Sequence, residues 1–162
     1  MRSSSLLIAL ALSFSGCTDD EDGGGGTDLV IADTPLAGTV AGQPWTFVAG
    51  DTDAFLSHDG PDFFANFYSE TFTTCGGFGP DSNGLIVSVP MTPGEYEFTN
   101  QRNMTFSVDD GAGGIDNLVT FKGKVRVDEV MATSLKGGLV GRFNGDNEVS
   151  GQFTINVCPE GP

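Results

Sequence analysis

Residues 135–157 read LKGGLVGRFNGDNEVSGQFTINV, and this stretch decides the fold. In its second half Val149, Phe153 and Ile155 alternate with polar residues, and the first half alternates in the same way. Successive side chains of a β-strand point to opposite faces, so the pattern predicts two half-buried strands. The Asn, Gly and Asp residues at 144–147 suit a tight turn, and we therefore predict a hairpin.

The rest of the chain repeats this alternation in shorter pieces. Further strands are predicted near residues 36–40, 44–48, 63–68, 85–89, 95–98, 104–108 and 119–127, the last with a bulge or bend at Gly123. No stretch carries a sustained apolar period of 3.6 residues, as a helix would. The sequence therefore predicts an all-β fold, an antiparallel β-sandwich of about 8–10 short strands. A small β-barrel is the alternative, because alternation alone does not separate the two.

The N-terminus has the features of a targeting segment. Arg2 is followed by an apolar run at residues 6–12, which is shorter than the roughly 20 residues that span a bilayer. A run of this length is typical of a signal peptide. Phe14, Ser15, Gly16 and Cys17 follow shortly after this run. Small residues before a cysteine let a signal peptidase reach the peptide bond that it cleaves.

This segment resembles the signal of bacterial lipoproteins, in which a bulky apolar residue, a small residue and Gly or Ala precede a cysteine. Leu is usual where this chain has Phe14, and an ordinary secretory signal is the alternative. The resemblance implies cleavage after residue 16 and lipidation of Cys17, with diacylglycerol on the thiol and a fatty acid such as palmitate on the amino group. Thr18 is not the Asp that retains such proteins in the inner membrane. The resemblance therefore implies an outer-membrane lipoprotein of the cell envelope, facing the periplasm or the surface.

An acidic and glycine-rich segment follows the cysteine. Residues 18–28 read TDDEDGGGGTD, which predicts a disordered tether, because like charges repel and glycine carries high backbone entropy. We assign residues 17–34 to the lipidated cysteine and tether, and residues 35–162 to a single β domain. Without residues 1–16 the chain has 6 basic and 22 acidic residues, a net charge of −16. This charge argues against nucleic acid as a partner and against electrostatic adhesion to anionic lipids.

The two remaining cysteines predict a disulfide. Cys75 and Cys158 form an even pair in a chain with an export signal. A redox pair would normally be spaced as C-x-x-C, and these residues are far apart in the sequence. We therefore predict a structural bond between the end of the last strand and a mid-chain loop.

Aromatic residues offer one candidate ligand site. Trp45, Phe64 and Tyr68 could form a platform for a glycan, and Phe64 and Tyr68 share one face of a predicted strand. The alternative is that these side chains belong to the core, as most of the 13 Phe residues should.

Acidic loops offer a second candidate site, and calcium is the one cofactor considered. Asp109, Asp110 and Asp116 flank a Gly-rich turn and could supply the oxygen ligands that calcium requires. The spacing does not match an EF-hand loop. The alternative is a solvated hairpin tip.

Catalytic patterns are weak. The single histidine, His58, stands between Ser57 and Asp59, but catalytic triads are assembled from separated positions. Glu95 and Glu97 share a strand face and could form the carboxylate pair of a glycosidase, although a solvent-facing strand explains them too. The sequence thus favours a lipid-anchored, non-enzymatic binding or structural module whose partner is a glycan or an envelope protein. The alternatives are a surface hydrolase with a carboxylate site, and a carbohydrate-binding or calcium-dependent adhesion module.

Overall fold

The computed structural model describes residues 29–53, 57, 60–76, 79–80 and 83–159. Within these ranges the chain has no helix, and the predicted all-β class is confirmed. The eleven strands are β1 (Ala37–Val40), β2 (Gln43–Thr46), β3 (Ala49–Asp53), β4 (Asp62–Tyr68), β5 (Gly84–Pro90), β6 (Gly94–Glu97), β7 (Met104–Asp109), β8 (Ile115–Thr120), β9 (Gly123–Val130), β10 (Ser134–Asn144) and β11 (Asn147–Asn156).

The strands form one sheet rather than the two separate sheets of a sandwich. Their order is β6-β9-β10-β11-β3-β4-β5-β7-β8, with the β1–β2 hairpin attached to β11 beside this path. The sheet is continuous because β11 is paired on both sides, with β10 on one and with β1 and β3 on the other. The β11–β3 pair is parallel and the other strand pairs are antiparallel. The result is a strongly curled half-barrel, which is closer to the barrel alternative.

Curling brings the two halves of the sheet face to face across the core. On the inner side of the curl, Phe153 of β11 and Phe67 of β4, whose strands flank β3, have ring centroids 5.0 Å apart, and Phe47 lies 5.5 Å from Phe67. A side chain at Gly141 of β10 would meet Met104 of β7, with its Cβ 2.2 Å from the methionine Cε. The outer faces of the two halves therefore point in opposite directions.

The β10–β11 hairpin is the one predicted from residues 135–157. Leu135, Leu139, Phe153 and Ile155 point into the core and are at most 5% exposed. At Gly151 the backbone φ is 146°, and a Cβ there would lie 2.6 Å from the Cα of Leu36, where the N-terminal chain passes alongside. Glycine is needed at this position because the neighbouring backbone is so close.

Two strand predictions differ from the structure. β3 was not predicted, because its sequence AGDTD lacks apolar side chains and resembles a loop. The run at 119–127 is divided between β8, which ends at Thr120, and β9, which begins at Gly123, where φ is 144°. The bend expected at Gly123 therefore separates two strands.

A short segment before β1, residues 30–34, crosses the outer side of β11, and we call it the strap. The Ala32 N–H donates to Ser150 Oγ at 2.8 Å, and Gln152 Nε2 donates to the Ala32 carbonyl at 2.6 Å. Ile31 is only 8% exposed, and a Cβ on Gly138 of β10 would lie 2.6 Å from its Cγ2. These residues fall within the predicted tether, 17–34. The structure places them on the sheet because Ile31 is buried and the backbone is hydrogen-bonded.

Candidate functional site

The predicted disulfide between Cys75 and Cys158 is confirmed, with 5.2 Å between the two Cα atoms. It joins the loop after β4 to the segment after β11, and both of its ends are also held by β3. The Cys75 N–H donates to Asp51 Oδ2 at 2.7 Å, and the Cys158 N–H donates to Thr52 Oγ1 at 2.8 Å. Asp51, which is 6% exposed, thus uses one carboxylate oxygen to fix the loop. These contacts support a structural role for the bond.

The acidic residues of the β7–β8 turn bind their own backbone. Asp109 Oδ1 accepts the Gly111 N–H at 2.7 Å, and Asp110 Oδ1 accepts the N–H groups of Gly114 and Ala112. The hydrogen bonds from Gly114 and Ala112 lower the pKa of Asp110. These are turn-closing bonds of the kind that Asp forms locally. They give the carboxylates a role that does not require calcium.

Potential metal ligands come together at one place in the described part of the chain. Asp51, Cys75 and Cys158 have ligand atoms within 4.8 Å of one another. The two sulfurs are bonded to each other and so are not thiolates, the form that binds metal. Asp109, Asp110 and Asp116, all of which the structure describes, do not form such a group of closely spaced ligand atoms.

The three aromatic residues of the predicted platform do not share a surface. Trp45 is 4% exposed, and its Nε1 donates to the Asn83 carbonyl at 3.2 Å, so it belongs to the core and not to an exposed platform. Phe64 is 37% exposed on the outer face of β4. Tyr68 lies on the same face, but its ring meets Phe72 edge-on with 5.0 Å between centroids. Phe64 alone among the three offers a bare aromatic surface.

A depression beside Tyr68 is too small for a typical metabolite. Its volume is about 110 Å³, and it is lined by Tyr68, Pro80, Gly84, Leu85, Ile86, Ser107 and Ile115. Small-molecule sites usually measure about 300–1,000 Å³. The depression is therefore an exposed groove rather than a binding cavity.

The burial of Tyr68 predicts a pH effect. Burial, and then the negative charges of Asp51 and Asp53, raise the pKa of Tyr68 above its ordinary value of 10.0. The unfolded chain therefore ionises first, and we expect the free energy of unfolding to fall as the pH rises above 10.0 toward the folded pKa. Tyr68→Phe should reduce this alkaline loss of stability, measured by urea unfolding at several pH values. It should also remove a phenolate absorbance step that titrates above 10.0. Loss of a step at or below 10.0 would contradict the assignment.

An ion pair at the opposite end of β4 is nearly enclosed. Arg102 donates to both carboxylate oxygens of Asp62, at 2.9 and 3.1 Å, and Ser88 Oγ donates to the same group at 3.0 Å. The guanidinium carbon of Arg102 lies 5.0 Å from the centroid of the Tyr96 ring. The side chains of Arg102 and Asp62 are 24% and 10% exposed. The carboxylate has its hydrogen-bond partners here, which supports a structural role.

Replacing Arg102 by methionine should leave the carboxylate of Asp62 without its cation. We expect the free energy of unfolding to fall by about 2–3 kcal/mol, somewhat less than for a fully buried pair because Arg102 is partly exposed. The measurement is urea unfolding at neutral pH. The double variant Arg102→Met with Asp62→Asn should regain part of the loss, since no unpaired charge remains. If Arg102→Met alone costs nothing, the pair is not important for stability.

The candidate catalytic residues that the structure describes, Ser57, Glu95 and Glu97, are not arranged around a shared cleft. Glu95 pairs with Lys124 at 2.9 Å, and Glu97 is exposed on the same side of β6. Ser57 Oγ donates to the Asp53 carbonyl at 2.5 Å and accepts the Phe64 N–H at 3.0 Å, so this hydroxyl closes a turn. His58 and Asp59 lie outside the described residues, and their roles stay predictions.

The outer side of β9, β10 and β11, together with the strap, is a distinct surface that we call the strap face. Five of the six basic residues after residue 16 lie at 122–142, in or beside β9 and β10. Four of them form ion pairs, which are Lys124–Glu95, Arg126–Asp128, Lys136–Glu129 and Arg142–Glu148, at 2.6–2.9 Å. The face is therefore close to charge balance, although the domain as a whole is strongly acidic.

The strap is fastened to this charged surface through Gln152. Arg126 Nη2 donates to Gln152 Oε1 at 2.7 Å, while Gln152 Nε2 donates to the strap at the Ala32 carbonyl. Ser150 Oγ makes a second connection, donating to the Val30 carbonyl at 2.9 Å. Sequence reasoning missed this arrangement.

The opposite surface, formed by the outer sides of β3, β4, β5, β7 and β8, we call the acidic face. Arg102 is the single basic residue between residues 3 and 121 of the sequence. The acidic residues on the outer side of these strands are Asp51, Asp53, Asp62 and Asp109, whereas Asp116 is exposed on the side of its partner Val108. Exposed apolar side chains, among them Phe64, Ile115 and Val119, lie on the same strands. The two surfaces thus differ sharply in charge.

Comparison with known proteins gives no relationship for this chain: no family model matches it, and neither a curated protein nor a solved structure does. In the described part of the chain, no helix is long and apolar enough to cross a membrane.

Proposed function

We propose that this chain is a lipid-anchored lipoprotein of the bacterial cell envelope whose β domain is a non-enzymatic binding or structural module. The observation that carries the proposal is the Phe14-Ser15-Gly16-Cys17 sequence after a short apolar run. The chain has three cysteines, and the bond between Cys75 and Cys158 leaves Cys17 as the one outside a disulfide. A lipidated thiol accounts for a cysteine at this position in an exported protein.

The binding or structural role is supported by the contacts of the candidate site residues. Glu95, a candidate catalytic acid, is paired with Lys124, and Asp109 and Asp110, candidate calcium ligands, accept hydrogen bonds from the backbone of their own turn. These contacts give the three carboxylates a role in the fold. The partner we propose is a glycan or another envelope protein, and the membrane is reached through the lipid.

The anchor is tested by expressing the whole chain in a Gram-negative host with labelled palmitate. We expect the native protein to carry label, to have the intact mass of an acylated chain beginning at Cys17, and to fractionate with membranes. Cys17→Ser should abolish labelling and release the protein from membranes. The matched control, Cys75→Ser with Cys158→Ser, should keep the label. An unlabelled native chain of unmodified mass, or a Cys17→Ser protein that stays with membranes, would refute lipid anchoring.

The outer-membrane location is tested by a second variant. Thr18→Asp creates the residue pattern that retains such lipoproteins in the inner membrane. We expect this change to move the protein from the outer to the inner membrane fraction on a sucrose gradient. The native chain in the inner membrane fraction would contradict the proposed location and leave the anchor itself untouched.

A further inference from the structure

We infer that the anchored domain holds its strap face toward the lipid headgroups and turns its acidic face away from the membrane. This inference rests on the proposed lipidation of Cys17, and adds to it which surface of the domain lies at the membrane. Two independent observations lead to it: the place where the chain enters the domain, and the distribution of charge over the two outer faces.

The point of entry fixes one side of the domain near the anchor. Among the described residues, the strap is the first segment held by the sheet, through Ser150 and Gln152 on the outer side of β11. Leu29 follows Cys17 by 12 residues, so the two Cα atoms can be at most about 43 Å apart in any conformation. The strap face cannot move further than that from the lipid.

This reach is too short for the opposite side to touch the membrane. A domain of about 130 residues has a radius of gyration of about 14 Å, which corresponds to a sphere of about 18 Å radius. If the pole opposite the strap rested on the membrane, a chain leaving the strap would follow the sphere to its equator, about 28 Å, and then descend about 18 Å, so it would need about 46 Å. This path is longer than the fully extended reach of about 43 Å. The outer sides of β10 and β7 point in opposite directions, because Gly141 and Met104 face each other across the core. The acidic face is therefore beyond the reach of the tether.

Charge favours the same orientation. On the strap face, Lys124, Arg126, Lys136 and Arg142 balance the neighbouring carboxylates. The acidic face has a single cation, Arg102, and this cation is already paired with Asp62. The headgroup region of a membrane with anionic lipids repels negative charge within about a Debye length. The strap face is the side of the domain that such a surface repels least.

The chain provides a direct way to measure this orientation. Its three lysines are Lys122, Lys124 and Lys136, and all lie in or beside the strands of the strap face. Lys136 has a half-exposed side chain on the outer side of β10, so amine reagents can reach it in free solution. On the acidic face, Asn117 of β8 is exposed and can be changed to lysine as a matched reporter.

The experiment uses the full lipidated chain carrying Asn117→Lys, inserted into preformed vesicles of phosphatidylethanolamine and phosphatidylglycerol. Flotation of the vesicles comes first, and a protein that fails to float would refute the proposed anchor rather than the orientation. In the floated protein, amine labelling is then followed by mass spectrometry at position 136 and at position 117. The same two rates, measured on the Cys17→Ser protein in solution, provide the reference.

We expect anchoring to slow labelling at Lys136 about fivefold relative to the reference, equal to about 1 kcal/mol, and to leave the lysine at 117 unchanged. Equal slowing at the two positions, or slowing at position 117 alone, would overturn the inference. A second variant lengthens the tether by 30 Gly and Ser residues after residue 22. It should narrow the difference between the two relative rates, because tether length then no longer restricts the orientation and only the difference in charge remains. Protection of Lys136 that persists in this variant would overturn the role of tether length.

Discussion

Replacement of Cys75 and Cys158 together by serine is expected to lower the free energy of unfolding by about 4 kcal/mol, and the melting temperature by about 15 °C. The bond closes a loop between residues 83 apart in sequence, and loop-closure entropy alone gives about 4.6 kcal/mol for that length. The loop is also held through the Cys75 N–H and Asp51, and the double serine variant retains this backbone donor. The variant therefore isolates the effect of the covalent link.

Urea unfolding of the two proteins, with and without a thiol reductant, provides the measurement. Reductant should destabilise the native protein to the level of the serine variant, and should leave the serine variant unchanged. A loss below about 1 kcal/mol would show that hydrogen bonds from β3 hold the loop without the disulfide. In that event the disulfide would add little to stability through the entropy of the unfolded chain.

The second large effect is expected for Phe67→Ala, which should cost about 3–5 kcal/mol. Phe67 has no exposed surface and contacts the rings of Phe47 and Phe153 where the two halves of the sheet meet. Removal of the ring leaves a cavity that the strands cannot fill without changing the curl of the sheet.

The matched control for this variant is Phe64→Ala, on the outer side of the same strand. Phe64 is 37% exposed, and its truncation should cost less than about 1 kcal/mol. Urea unfolding of the three proteins gives the comparison. Similar losses for the two variants would contradict the assignment of β4, because a shift of register by one residue would exchange its inner and outer faces.

Much of this fold is predictable from the sequence. The alternation in residues 135–157 predicts the β10–β11 hairpin and its inner face, and Leu139 and Phe153 are buried as the pattern requires. The curl of the sheet is not predictable in this way. Alternation tells which side chains share a face but contains no information on whether strands close into one sheet or two. That outcome depends on β11, which is paired along both of its edges.

The features that the sequence reasoning missed left weaker signals. The apolar triplet Leu29-Val30-Ile31 follows directly after the acidic glycine segment, and an apolar group there was a sign that the domain begins before residue 35. Arg102 stands alone among many acidic residues, which suggests a specific partner, but the partner Asp62 is 40 residues away. The platform and the core were both open for Trp45, because alternation over a strand of only four residues does not determine which face a side chain occupies.

The strap also determines how the molecule bears mechanical load. If the chain is anchored as we propose, a pull on the anchor would reach the described strands at residue 30 and pass through Ser150 and Gln152 into β11. This strand is bonded on both sides, and the segment after it is cross-linked to a distant loop through Cys158. Tension would therefore be shared among several strands at once instead of peeling one strand from an edge of the sheet. Under the proposed anchoring, the domain should keep its fold when the surface that holds it moves.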